Sequence, residues 1–174
     1  MTTPYGYRVS FRDSVSSVTA TIPSGYALGM ERIDGGTTYR YCYNAGNSQI
    51  GPGYCFKTVG GGSGPYSITI STTTEVISDT LGVIPGAHNT ATTGTYFWAA
   101  TKGEVGKLLV SNVSIATDAA IAVAANGALT KLTSNTAAIG INLGNSNGTG
   151  ATDTLSGDFL IDCESLKYAM TIEA

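Results

Sequence analysis

Short runs of β-branched and aromatic residues recur along the chain about 8–12 residues apart, with turn-forming residues between them. Residues 39–43, for example, carry tyrosine at every second position, so these three side chains would share one face of a strand. Asp34-Gly35-Gly36 and Asn126-Gly127 supply residues that tolerate the positive φ of tight hairpin turns. The pattern predicts a mainly β fold, an antiparallel β-sandwich or a small β-barrel of short strands with at most a short helix.

The same pattern locates individual elements. Residues 121–131 give the clearest hairpin, with Asn126-Gly127 at its tip. Residues 162–170 could form one or two helical turns, and little other helix is expected. Further strands are predicted at residues 5–9, 15–22, 67–75, 96–100, 107–110 and 139–143.

The length of 174 residues fits a single β domain, residues 1–174. One glycine-rich stretch, residues 60–65, interrupts the strand pattern. It is either a long hairpin loop or a connection between two lobes, residues 1–59 and 66–174. The loop interpretation is favoured.

Composition excludes several classes of protein. Charged residues make up 12% of the chain, about half of the proportion usual for a soluble domain. In their place stand 25 threonines, 16 serines and 23 glycines. An apolar content of 42% with a net charge of −3 argues against intrinsic disorder. The scarcity of charge also excludes a coiled coil or a helical bundle.

Charge and hydropathy also restrict the partners. Nine lysines and arginines, scattered through an acidic chain, make a poor surface for phosphates, so direct nucleic-acid binding is not expected. The longest apolar stretch, residues 119–125, is far shorter than the ~20 residues of a spanning helix, so no membrane partner is expected. Residues 1–15 lack the basic and apolar regions of a signal peptide, which predicts that the protein stays in the compartment where it is made.

The reactive residue types form no recognisable catalytic, metal or cofactor site. His88 has no Gly-x-Ser-x-Gly serine near it and is interpreted as a solvent-facing turn residue. Asp158, Asp162 and Glu164 are the only close acidic group and are interpreted as solvated surface charge. Residues 103–108 contain a P-loop-like Gly106-Lys107, but Thr101 stands at the position of the first P-loop glycine and Leu108 at that of the Ser/Thr, so the segment is interpreted as a loop. Neither an enzyme nor a cofactor is therefore expected.

Three cysteines are an odd number for a disulfide framework. Cys42 and Cys55 could pair if their strands are neighbours. Because no export signal is visible, buried or idle free thiols are the favoured interpretation.

Aromatic residues are the one feature that suggests binding. Tyr39, Tyr41 and Tyr43 could cover a sheet face inside the fold, which is the favoured interpretation, or form a subunit interface, or stack on sugar rings. The cluster of Tyr96, Phe97 and Trp98 is the other candidate for an interface between subunits.

Several segments follow one another in a recognisable order: Leu81-Gly82-Val83-Ile84, Gly94-Thr95-Tyr96-Phe97-Trp98, Thr101-Lys102-Gly103, residues 118–123, residues 126–131 and Ala138-Ile139-Gly140-Ile141. This order resembles the small head proteins of tailed bacteriophages, the decoration or cement type. Upstream, residues 32–41 resemble the Asp-Gly turn and Tyr-Arg-Tyr strand of the same proteins. Thr117-Asp118-Ala119 departs from the usual Ala-Gly-Asp step.

This resemblance implies a capsid decoration protein that acts by binding and has no catalytic residues. It would bind the major capsid protein on the capsid exterior as a homotrimer. The virus particle would be assembled in the host cytoplasm. Oligomerisation also has a physical reason, because a β domain with few charges has little to protect its sheet edges. The alternative is a receptor- or glycan-binding module of a phage tail or fibre that uses the tyrosine-rich half.

Overall fold

A computed structural model describes residues 11, 13–59, 64, 66–70, 80–111, 113–132, 138–144, 146–147 and 154–163. The described chain is mainly β, and its only helical element is one 3-10 turn at Ala125–Gly127. The predicted fold class is therefore confirmed. No helix within these ranges is both long and apolar enough to cross a membrane.

Thirteen strands follow one another along the described chain. The strands are β1 Val18–Thr19, β2 Glu31–Asp34, β3 Thr37–Asn44, β4 Cys55–Thr58, β5 Ser67–Ile70, β6 Thr80–Val83, β7 Tyr96–Val110, β8 Ser114–Ile115, β9 Ala120–Val123, β10 Leu129–Lys131, β11 Gly140–Asn142, β12 Ser146–Asn147 and β13 Thr154–Asp162.

The pairings close the main sheet into two circuits of five strands that share β7. In the first circuit β7 pairs with β6, β6 with β4, β4 with β5, β5 with β3, and β3 returns to β7. In the second, β7 pairs with β13, β13 with β11, β11 with β9, β9 with β10, and β10 returns to β7 through the pair Leu129 and Val110. The 15 residues of β7 can serve both circuits because each uses a different half of the strand.

The buried apolar side chains form two sets, of which only the smaller is confined to one circuit. The smaller set lies within the first circuit and its loops: Cys42, Ile50, Phe56, Ile68, Ile84, Ala91, Phe97 and Ala99. The larger set extends from the outer face of the first circuit into the second, where Val105, Leu108, Ile121, Leu129 and Phe159 are among its members.

Both hairpin turns that the sequence predicted are present. Gly35 and Gly36 connect β2 to β3 with φ values of 56° and 85°. Asn126 and Gly127 connect β9 to β10 with φ values of 59° and 73°. Positive φ at two successive turn residues gives the backbone twist that adjacent antiparallel strands require.

Other local predictions need correction. Residues 107–110 are not a separate strand but the end of β7, and Asp162 ends β13 instead of beginning a helix. Between residues 15 and 22, only Val18–Thr19 is a strand. The predictions for residues 5–9 and 164–170 lie outside the described residues. Residues 60–65 connect β4 to β5, which are antiparallel neighbours.

The sheet edges differ from what the low charge led us to expect. Within the described part of the main sheet, closure of the circuits leaves two end strands, of which β1 has only two residues and β2 is the longer. This strand has four residues, and Glu31, Arg32 and Asp34 are charged. A short, charged edge strand resists pairing with another chain. Edge pairing therefore gives less physical reason for oligomerisation than the composition suggested, and the trimer remains a prediction from the resemblance.

Candidate functional site

The tyrosines of β3 lie on one face, as their alternation predicted, and they pack against aromatic side chains of β7. Tyr41 is opposite Trp98 in the ladder, with ring centroids 4.9 Å apart. Tyr43 is opposite Tyr96, with centroids 4.7 Å apart. Phe97 points to the other side of β7, into the core of the first circuit.

Most of this aromatic surface is inside the fold. Tyr41 and Trp98 are each 1% exposed, Phe97 is 2% exposed and Tyr39 is 7% exposed. Tyr43 and Tyr96 are half-buried. These burials favour the interpretation that the tyrosines cover a sheet face, and they leave mainly Tyr43 and Tyr96 accessible to another molecule.

The N-terminal segment covers the face. Phe11 and Tyr26 contact Trp98 edge to face, with centroids 5.2 and 5.6 Å from its ring. Tyr26 also packs edge to face on Tyr41. Edge-to-face contacts are a preferred geometry of aromatic pairs because the positive ring edge meets the negative ring face.

Asp13 fixes this cover to the sheet. Its Oδ2 accepts a hydrogen bond of 3.1 Å from Nε1 of Trp98, and its Oδ1 accepts one from the hydroxyl of Tyr26. The guanidinium of Arg32 donates to the carbonyl of Asp13 at 2.8 Å and lies 5.1 Å from the ring of Phe11. Asp13 could not be identified from the sequence, because a single acid in a polar segment gives no indication of its distant partners.

The cysteines are free and buried, as the favoured interpretation predicted. Cys42 lies in the core of the first circuit and Cys55 in the larger core, so these two do not pair. Burial raises the pKa of both thiols far above the ordinary value. A thiol held in its neutral form is a weak nucleophile.

A groove of about 410 Å³ lies beside the other end of the tyrosine face. His88 belongs to the turn after Pro85 and stacks on Tyr39, with centroids 5.8 Å apart and planes at 15°. It is half-buried, so the prediction of a solvent-facing residue was wrong. The groove is lined by Tyr39, Pro85, Ala87, His88, Glu104, Val105, Gly106, Lys107 and Asp158.

The predicted acidic group is divided by the fold. Asp158 lines the groove, whereas Asp162 forms an ion pair of 3.1 Å with Lys102 on the neighbouring strand. Glu164 lies outside the described residues. Residues 103–108 are part of β7 and not a loop. Among the described residues, no three His, Cys, Asp or Glu side chains come together as metal ligands.

Comparison with models of known protein families and with curated proteins finds no match for the chain.

Proposed function

We propose that the protein is a structural component of a virus particle, a capsid decoration protein that binds the major capsid protein and stabilises the shell. The proposal rests on where the resembling segments lie. Most of their residues fall on β3, on β6, on the first half of β7, on the β9–β10 hairpin and on β11, all of which belong to the two circuits. The resemblance thus involves strands of one continuous framework and not scattered surface loops.

The β2–β3 hairpin is the part of the resembling region most suited to contact a capsid. β2 lies outside both circuits, and its Ile33 is 68% exposed, the highest value among the large apolar side chains in the described ranges. Ion pairs between Arg40 and Glu31 at 2.7 Å and between Arg32 and Asp34 at 3.0 Å hold the hairpin. A braced hairpin with an apolar residue in solvent can bury that residue against a partner at little entropic cost.

The test is a binding assay with purified full-length protein. Expanded capsids that lack the protein are expected to retain it on sedimentation and to melt at a higher temperature with it bound. Binding to host cells, without binding to capsids, would contradict the proposal and support the receptor-binding alternative.

Two variants make the assay specific. Ile33→Glu places a charge at the exposed hairpin position and is expected to weaken capsid binding at least tenfold, equivalent to about 1.4 kcal/mol. Leu160→Glu is the matched control, because Leu160 is also exposed, at 43%, but lies on β13. Equal loss of binding in both variants would refute the assignment of the hairpin.

The proposal includes a homotrimer, in solution or on the capsid. Light scattering distinguishes a monomer of 17.8 kDa from an assembly of three times that mass. A monomer both in solution and in density on the capsid would refute the trimer.

A further inference from the structure

We infer that the groove beside His88 binds a neutral sugar, a single hexopyranose ring or the end of a glycan. The inference goes beyond the proposed function, because the groove and Ile33 belong to opposite faces of the β2–β3 hairpin. Ile33 is opposite Thr38 in the ladder, whereas the groove uses Tyr39 of the next position.

The polar atoms of the groove include both hydrogen-bond donors and acceptors. Glu104 and Asp158 provide carboxylates that accept, and Lys107 provides an ammonium that donates. The charges of these three side chains leave one net negative charge, so an anion is disfavoured. Lys107 in the same groove also disfavours a simple cation. Sugar hydroxyls both donate and accept, and they satisfy such a mixed set without a charge of their own.

His88 contributes a further donor. Its Nδ1 is buried and has no hydrogen-bond partner, whereas Nε2 is not both buried and without a partner. A buried N–H without a partner is costlier than a buried lone pair, so the neutral ring carries its proton on Nε2. Burial lowers the pKa of His88, which keeps the ring neutral near pH 7. Nε2–H is thus the group that the ring can offer to a ligand.

An apolar wall completes the match to a sugar, whose ring carbons present C–H groups between the hydroxyls. Ala87 is exposed in the groove, and the largely buried Pro85 and Val105 also line it. The volume of about 410 Å³ is within the range of small-molecule sites. Hydroxyls paired with carboxylate and ammonium groups, above an apolar wall, give both orientation and contact area.

The groove is already formed by rigid elements. The Thr37 hydroxyl donates to the Glu104 carbonyl at 2.7 Å and so ties β3 to the part of β7 that lines the groove. Gly86 packs against β7 so closely that an added Cβ would lie 2.2 Å from the Lys107 carbonyl oxygen. A site held on strands and close backbone contacts loses little entropy when a ligand binds.

The test is titration of the ¹⁵N-labelled full chain with glucose, galactose, mannose and N-acetylglucosamine, followed by amide chemical shifts. At least one sugar is expected to cause saturable shifts centred on His88, on residues 104–107 and on Asp158. Asp158→Asn and Lys107→Gln should each weaken that binding at least tenfold. Asp118→Asn, at an exposed carboxylate in a turn outside the groove, should leave it unchanged.

Three outcomes would overturn the inference: no saturable shift with any of the four sugars, shifts centred elsewhere, or tighter binding of spermidine than of every sugar at the same amides. A capsid-binding assay distinguishes a failure of this inference from a failure of the proposed function. Asp158→Asn is expected to bind capsids as the wild-type protein does, whichever result the sugars give.

Discussion

Lys107 and Gly157 occupy opposite positions of the β7–β13 ladder, between the partner pairs Leu108–Ser156 and Gly106–Asp158, and both have left-handed backbones, at φ values of 52° and 76°. The pairing register is the same on both sides of this point. The side chains, however, change face: Val105 is buried before Lys107, and Leu108 and Val110 are buried after it. The two left-handed residues therefore form a kink that interrupts the ladder without an insertion, and both halves of β7 carry apolar side chains that are buried in a core.

The kink predicts opposite effects for two glycine substitutions. Lys107→Gly should stabilise the protein by about 0.5–1 kcal/mol, because glycine adopts a left-handed backbone without the cost that a side chain adds. Lys131→Gly is the control, since Lys131 is an exposed strand residue whose φ is not positive. It should destabilise by about the same amount. Urea unfolding measures both, and a loss of stability in Lys107→Gly would contradict the strain.

Asp13 should contribute more to stability than an ordinary polar residue. Asp13→Ala removes the acceptor from Trp98 and Tyr26 and is expected to cost about 1–3 kcal/mol. Because Trp98 is the only tryptophan, its emission should move to longer wavelength as water reaches the indole. Asp13→Asn keeps one oxygen acceptor and should cost less. Unchanged emission in Asp13→Ala would show that the N-terminal cover does not depend on this residue.

The thiols should be chemically silent in the folded protein. Cys42 and Cys55 are 0% exposed and Cys163 is 4% exposed. None is expected to react with a disulfide reagent such as Ellman's under native conditions, and all three should react in concentrated urea. The absorbance of the released thiolate counts them. Rapid reaction of one thiol before unfolding would contradict the burial.

Stability should depend on pH through His88, the only histidine. Burial lowers its pKa in the folded state, whereas the unfolded ring titrates near 6.5. Between these two values the unfolded chain binds a proton that the folded chain does not, so stability falls as the pH falls below about 6.5. The loss ends once the pH is below the folded pKa. In His88→Gln this part of the pH dependence should vanish; an identical profile in both proteins would refute it.

The fit between β11 and β13 should not tolerate a methyl group at Gly140. An added Cβ there would lie 2.1 Å from the Leu160 carbonyl oxygen. Gly140→Ala is expected to cost about 1–3 kcal/mol through overpacking. Gly144→Ala, just beyond the same strand, is the control, since its nearest neighbouring atoms would be 3.8 Å away. Thermal unfolding compares them, and equal midpoints would contradict the close contact.

The sequence by itself determined the class of fold, the shared face of Tyr39, Tyr41 and Tyr43, and the two hairpin turns. These features depend on residues close together in the chain, through side-chain alternation and through the backbone preferences of glycine and asparagine. Local preference also explains the errors. The segment 107–110 is a good strand by itself, and nothing local indicates that it continues β7 through a left-handed lysine.

The tertiary structure alone decided how the sheet closes, which tyrosines are buried and which polar residues share the groove. Tyr39, His88, Glu104 and Asp158 meet there from four separate parts of the chain. Asp13 and Trp98 are hydrogen-bonded although they are 85 positions apart in the sequence. Such contacts form only when the whole sheet is paired, because the entropy of closing long loops is repaid by the complete set of strand pairs and core contacts together. No local sequence pattern predicts the combined effect of these distant contacts.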